Sequence, residues 1–281
     1  MQKPSDLEVL ATLLTDYVAE SRALHGFRAP SSSPASRAVN SSPTLPVADV
    51  WALAHLLVAS AGDHLVLLAR ALSTQGVSVA GLTVGRAAQE NAARAFWLIE
   101  PGLPIRTHVA RHYTLLLADL AHRSRVTDGV DEQAHVFASR KLTQLIEHAS
   151  AAGFQVSNRN RRVQIEGEKI PDSAKLARVG LSDEMAAAGS LQYSLSSSIA
   201  HGSGLGITEL SEVVDWDQLT LVFRLTAGDA AVTVAAGILA HGLAYMELSR
   251  LFDFELPRKW ISGRANLMAL VSEYLEKAAQ G

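Results

Sequence analysis

Charged residues recur every fourth position on one predicted helix, which covers residues 77–100. Arg86, Glu90 and Arg94 share one face of this helix. The opposite face carries small residues at helical spacing, namely Gly81, Gly85, Ala88, Ala92 and Ala95. Small residues let a neighbouring helix approach closely, so both faces are expected to be contact surfaces. A buried charge persists only when it is paired, so we expect Glu90 to bridge the two arginines. The triple predicts either a structural ion-pair stripe or a site that binds an anion or a substrate.

A second polar interruption lies in the predicted helix over residues 47–74. Asp63 and His64 stand inside the apolar stretch WALAHLLVASAGDHLVLLARAL. Asp63 needs a cationic partner if it is buried, and Arg70 shares its face two turns later. An arginine of the 86–94 stripe is the alternative partner. Asp63 and His64 therefore belong either to a structural pair or to a site.

Basic residues crowd the start of the next predicted helix, which covers residues 104–126. They are Arg106, His108, Arg111 and His112. The positive end of the helix dipole gives cations no stabilisation there. This predicts a carboxylate from a neighbouring element, a bound anion, or an exposed basic face.

Hydroxyl groups and a histidine share a stripe on the predicted helix over residues 182–201. Tyr193, Ser197 and His201 step by four, and glycines follow in the sequence GSGLG. His201 beside Ser197 has the residue types of a nucleophile and its base. Their i, i+4 spacing on one helix is unusual for such a pair, and the G-x-S-x-G motif is missing. A histidine hydrogen-bonded in the core and a ligand contact are the other interpretations.

Metal and cofactor motifs are scarce in this sequence. Glu132 and His135 form a Glu-x-x-His pair on a predicted helix, but a di-iron bundle needs two such motifs and two more carboxylates. The chain has no cysteine, which excludes thiolate ligands and disulfides. The glycine-rich run over residues 202–206 follows a helix rather than a strand, unlike a phosphate-binding loop. We therefore predict neither a metal site nor a cofactor.

Composition favours a globular protein with a large core. The 281 residues are 48% apolar and 19% charged, and the net charge of −3 shows no basic excess that would indicate a nucleic-acid surface. The absence of cysteine fits a reducing compartment, and the N-terminal residues do not form a signal peptide. The apolar, uncharged run from Ala230 to Met246 is shorter than the roughly 20 residues of a membrane span. We expect a cytoplasmic protein without membrane association.

Periodicity predicts an all-α fold, a helical bundle with a short β-hairpin or strand insertion near residues 208–226. Helices are predicted over residues 5–25, 47–74, 77–100, 104–126, 130–152, 182–201, 230–252 and 260–279. Residues 155–171 are predicted to be an exposed loop or a short hairpin. Three parts are expected: an N-terminal helix in 1–25, a Ser/Pro-rich linker or arm in 26–46, and a helical domain in 47–281.

Three segments together resemble the HEPN-like helical proteins, many of which are toxin or defence ribonucleases. They are ENAARAFWLIEP (90–101), RTHVARH (106–112) and the helix end YSLSSSIAHG (193–202). The resemblance covers roughly residues 47–202. In the active nucleases of that group an arginine stands little more than one helical turn before the motif histidine. That arginine is missing before His201, whereas Arg106 and His112 have the spacing.

Three functions fit these patterns. The leading hypothesis is a helical ligand-binding or interaction protein with a defence or regulatory role, which would bind a small-molecule or anionic ligand or a second copy of itself. The alternatives are a metal-independent HEPN-type ribonuclease, using Arg106, Arg111, His112 or His201, and a small-molecule enzyme of unknown class. Nucleic-acid binding is left open. We expect Asp63, Glu90, Arg94 and His201 to converge in one partly buried polar cluster.

Overall fold

The computed structural model describes residues 5–21, 28–73, 78–159, 162–179, 193–194, 196–201, 211–215, 220–223 and 227–280. Most of these residues are helical, and two short antiparallel hairpins interrupt the helices. The all-α prediction is therefore confirmed. The start of the predicted helix over residues 182–201 and the glycine run over residues 202–206 lie outside the described residues.

The elements follow one another along the chain with bounds close to those predicted. In order they are α1 (Asp6–Ser21), α2 (Pro34–Ser41), α3 (Val47–Ser73), α4 (Ser78–Leu98), α5 (Ile105–Thr127), α6 (Glu132–Ala151), β1 (Val156–Arg159), β2 (Arg162–Ile165), α7 (Ser173–Leu176), β3 (Ser211–Asp215), β4 (Thr220–Phe223), α8 (Ala227–Phe252) and α9 (Arg258–Gln280). A further helical segment contains residues 193, 194 and 196–200. It carries Tyr193, and we refer to residues 193–201 as the Tyr193 segment.

Side chains at the helix starts explain where α1 and α6 begin. The Glu8 amide donates to Ser5 Oγ at 3.3 Å, and the Ser5 amide donates to Glu8 Oε2 at 2.6 Å. This reciprocal pair is a capping box, and its hydrogen bonds lower the pKa of Glu8. In α6 the carboxylate of Asp131 accepts from the amide of Ala134 at 3.0 Å.

Helices α3, α4 and α8 form the centre of the bundle, and small residues set their separation. A Cβ atom added to Gly81 would lie 3.6 Å from Ala71 Cβ of α3. One added to Gly85 would lie 2.2 Å from Thr233 Cγ2 of α8. The close contact predicted along this face of α4 is confirmed, and α8 is the second helix that uses it.

The predicted linker over residues 26–46 contains regular structure. Its middle forms α2, where Ser33 Oγ caps the helix by accepting from the Ser36 amide at 3.1 Å. Pro34 occupies the first helical turn, where its missing N–H costs no helical hydrogen bond. Ala35 is buried in the same core as residues of α1 and α3. Residues 34–41 thus form a helix rather than an irregular arm, because the cap at Ser33 and the burial of Ala35 outweigh the high content of serine and proline.

The two regions for which a hairpin was among the predictions, residues 155–171 and 208–226, both contain β-hairpins. In the first, Val156 of β1 pairs with Ile165 of β2 in antiparallel register. In the second, Ser211 of β3 pairs with Phe223 of β4, and the register shifts between Val213 and Asp215. The second hairpin lies within the predicted insertion over residues 208–226.

Among the described residues, two helices are long and apolar enough to cross a membrane, the Val47–Ser73 helix and residues Gly228–Phe252. Length and composition do not separate a membrane span from the core helix of a soluble protein. In the second helix 78% of the most apolar window is buried within the bundle, as expected of a core helix, against 39% in the first.

Candidate functional site

The side chains of Arg86, Arg94 and Tyr193 surround the carboxylate of Glu90. We call these four residues the Glu90 cluster. Arg86 Nε donates to Glu90 Oε1 at 2.8 Å, and Tyr193 OH donates to the same oxygen at 2.6 Å. Arg94 Nη2 lies 3.6 Å from Glu90 Oε2. Glu90 therefore bridges the two arginines, as the spacing on α4 predicts.

Tyr193 connects this cluster to a distant part of the chain. Its ring is 8% exposed, and its hydroxyl accepts a hydrogen bond from Arg86 Nη2 at 2.9 Å. The guanidinium carbon of Arg86 lies 4.6 Å from the ring centroid, a distance at which cation–π attraction operates. The Tyr193 segment is thus held against α4 by one face of the tyrosine ring and by its hydroxyl.

The electrostatics of the cluster keep its charges fixed. Burial acts to lower the pKa of Arg86, but the Glu90 carboxylate and the Tyr193 hydroxyl act more strongly together, so this pKa is raised. An arginine does not release its proton in a protein, so Arg86 cannot transfer protons at neutral pH. The arrangement is suited to holding and orienting charge.

Arg94 is the least engaged member of the cluster. Its side chain is 38% exposed, and 3.6 Å is too long for a hydrogen bond to Glu90. Its Nε atom is buried without a hydrogen-bond partner. Asp119 of α5 lies nearby: although Asp119 is exposed, partial desolvation raises its pKa, and the positive charge of Arg94 acts in the opposite direction. Arg94 therefore keeps hydrogen-bond donors that no acceptor in the described part of the chain uses.

Neighbouring amides fix the backbone that carries the cluster. Asn91 Nδ2 donates to Ser60 Oγ of α3 at 3.0 Å. The buried Gln89 donates through Nε2 to the carbonyl of Ala177, just after α7, at 2.7 Å. These bonds fix α4 between two other parts of the chain, so the guanidinium groups of the cluster have a rigid support.

The other predicted members occupy different surroundings. Asp63 is exposed on α3, and His64 is half-buried with its Nδ1 atom buried and unpartnered. Ser197 is half-buried, whereas His201 is exposed at the end of the Tyr193 segment. His201 is therefore not in the partly buried environment predicted for it, although it shares a stripe with Tyr193.

The arginines at the start of α5 are paired with carboxylates. Arg106 Nη2 lies 2.6 Å from Glu166 Oε1, which follows β2. Arg111 contacts Glu100 at 2.7 Å and Glu168 at 3.0 Å. Of the three possibilities in the sequence, a carboxylate from a neighbouring element is therefore the correct one.

The two histidines of this basic stretch, His108 and His112, are buried, which corrects the prediction of an exposed basic face. His108 Nδ1 lies 2.8 Å from the Leu98 carbonyl oxygen. His112 is 6% exposed, and its Nδ1 has no hydrogen-bond partner. Burial lowers the pKa of His112, and the Asp49 carboxylate acts in the opposite direction. Both imidazoles face the core rather than solvent.

A buried polar pair outside these predictions links α1 to α8. Tyr17 OH lies 2.8 Å from His241 Nδ1, and both side chains are almost fully buried. Desolvation lowers the pKa of His241 to about 4. The position of His241 inside a long uncharged run is visible in the sequence and could have indicated a buried polar group. No residue near it in the sequence indicates that Tyr17 is its partner.

Among the described residues, no group of three or more His, Asp or Glu side chains is arranged to hold a metal ion. Comparison of the chain with protein-family models, curated proteins and solved structures gives no match. Function must therefore be inferred from the chemistry of the residues themselves, and the Glu90 cluster offers the most developed arrangement.

Proposed function

We propose that this protein is a helical binding protein that holds a small anionic ligand at the Glu90 cluster. The observation that carries the proposal is the state of the Arg94 side chain. It is partly exposed, and among the described residues its one ion pair is the long contact with Glu90. An anion with two oxygen acceptors, such as a carboxylate or a phosphate, complements the donors of a guanidinium.

The remainder of the cluster supports Arg94 rather than competing with the ligand. Arg86 and Tyr193 hold Glu90 through short hydrogen bonds to Oε1, and in this arrangement Oε2 lies 3.6 Å from Arg94 Nη2, too far for a hydrogen bond. The two arginines carry one more positive charge than Glu90 neutralises. An incoming anion would therefore balance the charges of the cluster itself, beside the nearby carboxylate of Asp119, at a partly desolvated place where electrostatic attraction is stronger than in water.

The ribonuclease alternative has less support. Arg106 and Arg111 already pair with glutamates, and His112 is buried. Groups that cleave RNA must reach the phosphodiester, and these three side chains would need new surroundings to do so. RNA cleavage by the purified protein that disappears in His112→Ala would favour that alternative over anion binding.

The proposal predicts that simple anions stabilise the protein through Arg94. Thermal melts at constant ionic strength should show a midpoint that rises with inorganic phosphate. At about ten times the dissociation constant, binding adds about 1.4 kcal/mol, which corresponds to a rise in Tm of about 2–4 °C for a chain of this size. Arg94→Gln should remove this rise, because glutamine keeps the three carbons of the arginine stem and a polar end but lacks the charged guanidinium.

Arg125→Gln is the matched control, since Arg125 is an exposed arginine on α5 whose Nε binds the Ala121 carbonyl. It should retain the phosphate-dependent rise. An equal rise in Arg94→Gln and the unmodified protein would contradict the proposal. So would a flat response to phosphate, sulfate and acetate alike.

A further inference from the structure

A groove of about 580 Å³ lies between α2, the start of α3 and the end of α8. Trp51 and His55 of α3 and Phe252 of α8 line it together with residues of α2. None of the lining residues belongs to the Glu90 cluster. The volume is within the range of small-molecule sites, which is roughly 300–1,000 Å³.

Aromatic groups form much of the apolar surface of this groove. Trp51 is 4% exposed, and its ring packs edge-on against His108 with centroids 5.5 Å apart. The rings of His55 and Phe252 have centroids 6.5 Å apart. Trp51 is almost fully buried, so the half-buried rings of His55 and Phe252 form the aromatic surface that a flat ring of a ligand can reach.

Polar groups without formal charge complete the lining. Helix α2 contributes the hydroxyl of Ser36 and the amide of Asn40, each of which can donate and accept hydrogen bonds. The indole Nε1 of Trp51 is buried without a hydrogen-bond partner. None of the lining residues is Lys, Arg, Asp or Glu. A charged ligand would therefore meet no fixed counter-charge in this lining, where His55 is the one residue whose side chain can take up a proton.

From this lining we infer a second binding site, distinct from the Glu90 cluster, for an uncharged small molecule with a flat ring and a polar substituent. The ring packs against the half-buried rings of His55 and Phe252. The substituent reaches the hydroxyl and amide groups on α2. The segment that precedes α3 is thus part of a binding site rather than only a connection.

A matched pair of probes tests the inferred chemistry. We would measure saturation-transfer NMR signals and calorimetric affinities for 4-hydroxybenzamide and for the anion 4-hydroxybenzoate. The amide should bind, and Ala48→Trp should weaken its binding by about tenfold or more, because the new indole occupies the groove from an exposed position on α3. Asn40→Leu should also weaken it by removing the polar partner while leaving the core untouched.

Ala265→Trp is the control, since it places the same side chain on an exposed position of α9. It should leave the affinity for 4-hydroxybenzamide unchanged. The inference is overturned if the amide does not bind, if Ala48→Trp and Asn40→Leu both bind it as the unmodified protein does, or if the benzoate binds this groove equally well. Benzoate binding that depends on Arg94 alone would concern the Glu90 cluster, so the two proposals can fail separately.

Discussion

At the residue scale, Glu90 shows how one carboxylate can organise several elements. It accepts hydrogen bonds from Arg86 on its own helix and from Tyr193, which is 103 positions away. The side chains of Arg86 and Glu90 are each 18% exposed. Removing the charge at the centre would leave two arginines without their shared counter-charge in a partly desolvated place.

We therefore expect Glu90→Gln to lower the free energy of unfolding by about 2 kcal/mol, a value between those of exposed and fully buried pairs. Chemical denaturation followed by circular dichroism measures this change. Glu273→Gln is the control, because Glu273 forms an exposed ion pair with Lys277 and its loss should change little. Equal midpoints for the two variants would mean that the Glu90 cluster does not hold the Tyr193 segment in place.

At the element scale, the spacing of α3, α4 and α8 depends on residues without side-chain bulk. Gly85 contacts both neighbouring helices, with Leu68 of α3 on one side and Thr233 of α8 on the other. The arginines of the Glu90 cluster stand on the same helix. The close contact of Gly85 therefore also sets the position of those arginines relative to the bundle.

Gly85→Ala should destabilise the protein, although alanine is the better helix former, because its Cβ would lie 2.2 Å from Thr233 Cγ2. Gly85→Leu should cost about 1–3 kcal/mol of unfolding free energy through overpacking. Thermal melts measure both changes. Adding Thr233→Ser should restore part of the stability of Gly85→Ala, since serine keeps the hydroxyl and removes the clashing methyl.

Gly263→Ala provides the comparison for this series, because its added Cβ would come no closer than 4.0 Å to Tyr17 Cα. It should be neutral or stabilising, as usual for alanine in place of a helical glycine. If Gly85→Ala and Gly263→Ala had the same effect, the proposed close contact at Gly85 would be refuted.

At the scale of the whole molecule, the two ends of the described chain close the bundle together. Helix α1 packs against α3 and α9, and Tyr274 OH of α9 donates to the Asp6 carbonyl at 3.4 Å. The buried pair of Tyr17 and His241 joins α1 to α8. The His241 ring is stacked on the Tyr245 ring, with centroids 5.9 Å apart. The pair of Tyr17 and His241 makes stability depend on pH.

The direction follows from the pKa of His241, which desolvation lowers from 6.5 to about 4. The unfolded chain binds a proton more readily than the folded one, so this contribution is fully present above pH 6.5 and is lost as pH falls towards 4. Across that window the loss is on the order of 3 kcal/mol. Burial also lowers the pKa values of His108 and His112, which acts in the same direction.

Urea denaturation at several pH values between 7 and 4.5 measures the loss. His241→Asn should be less stable at pH 7 but should show a shallower fall with pH, because the buried titrating group is gone. Exposed carboxylates titrate alike in both proteins and cancel in the comparison. Parallel curves for the two proteins would show that His241 is not the source.

Local spacing was sufficient for much of this protein. Hydrophobic periodicity indicated the long helices, and the i, i+4 stripe on α4 indicated that Glu90 pairs with Arg86 and Arg94. Small residues at helical spacing likewise indicated the close contact at Gly85. These features depend on residues within a few turns of one another, whose relative positions the helix itself fixes.

Tertiary structure decided which surface covers each polar group. The sequence placed Tyr193 and His201 on one stripe, but packing brings Tyr193 to Glu90 and leaves His201 exposed. Periodicity shows that a helix face is polar or apolar; it does not identify the element that packs there. The burial of His112 and the pairing of Tyr17 with His241, 224 positions apart, were therefore decided only when the whole chain folded.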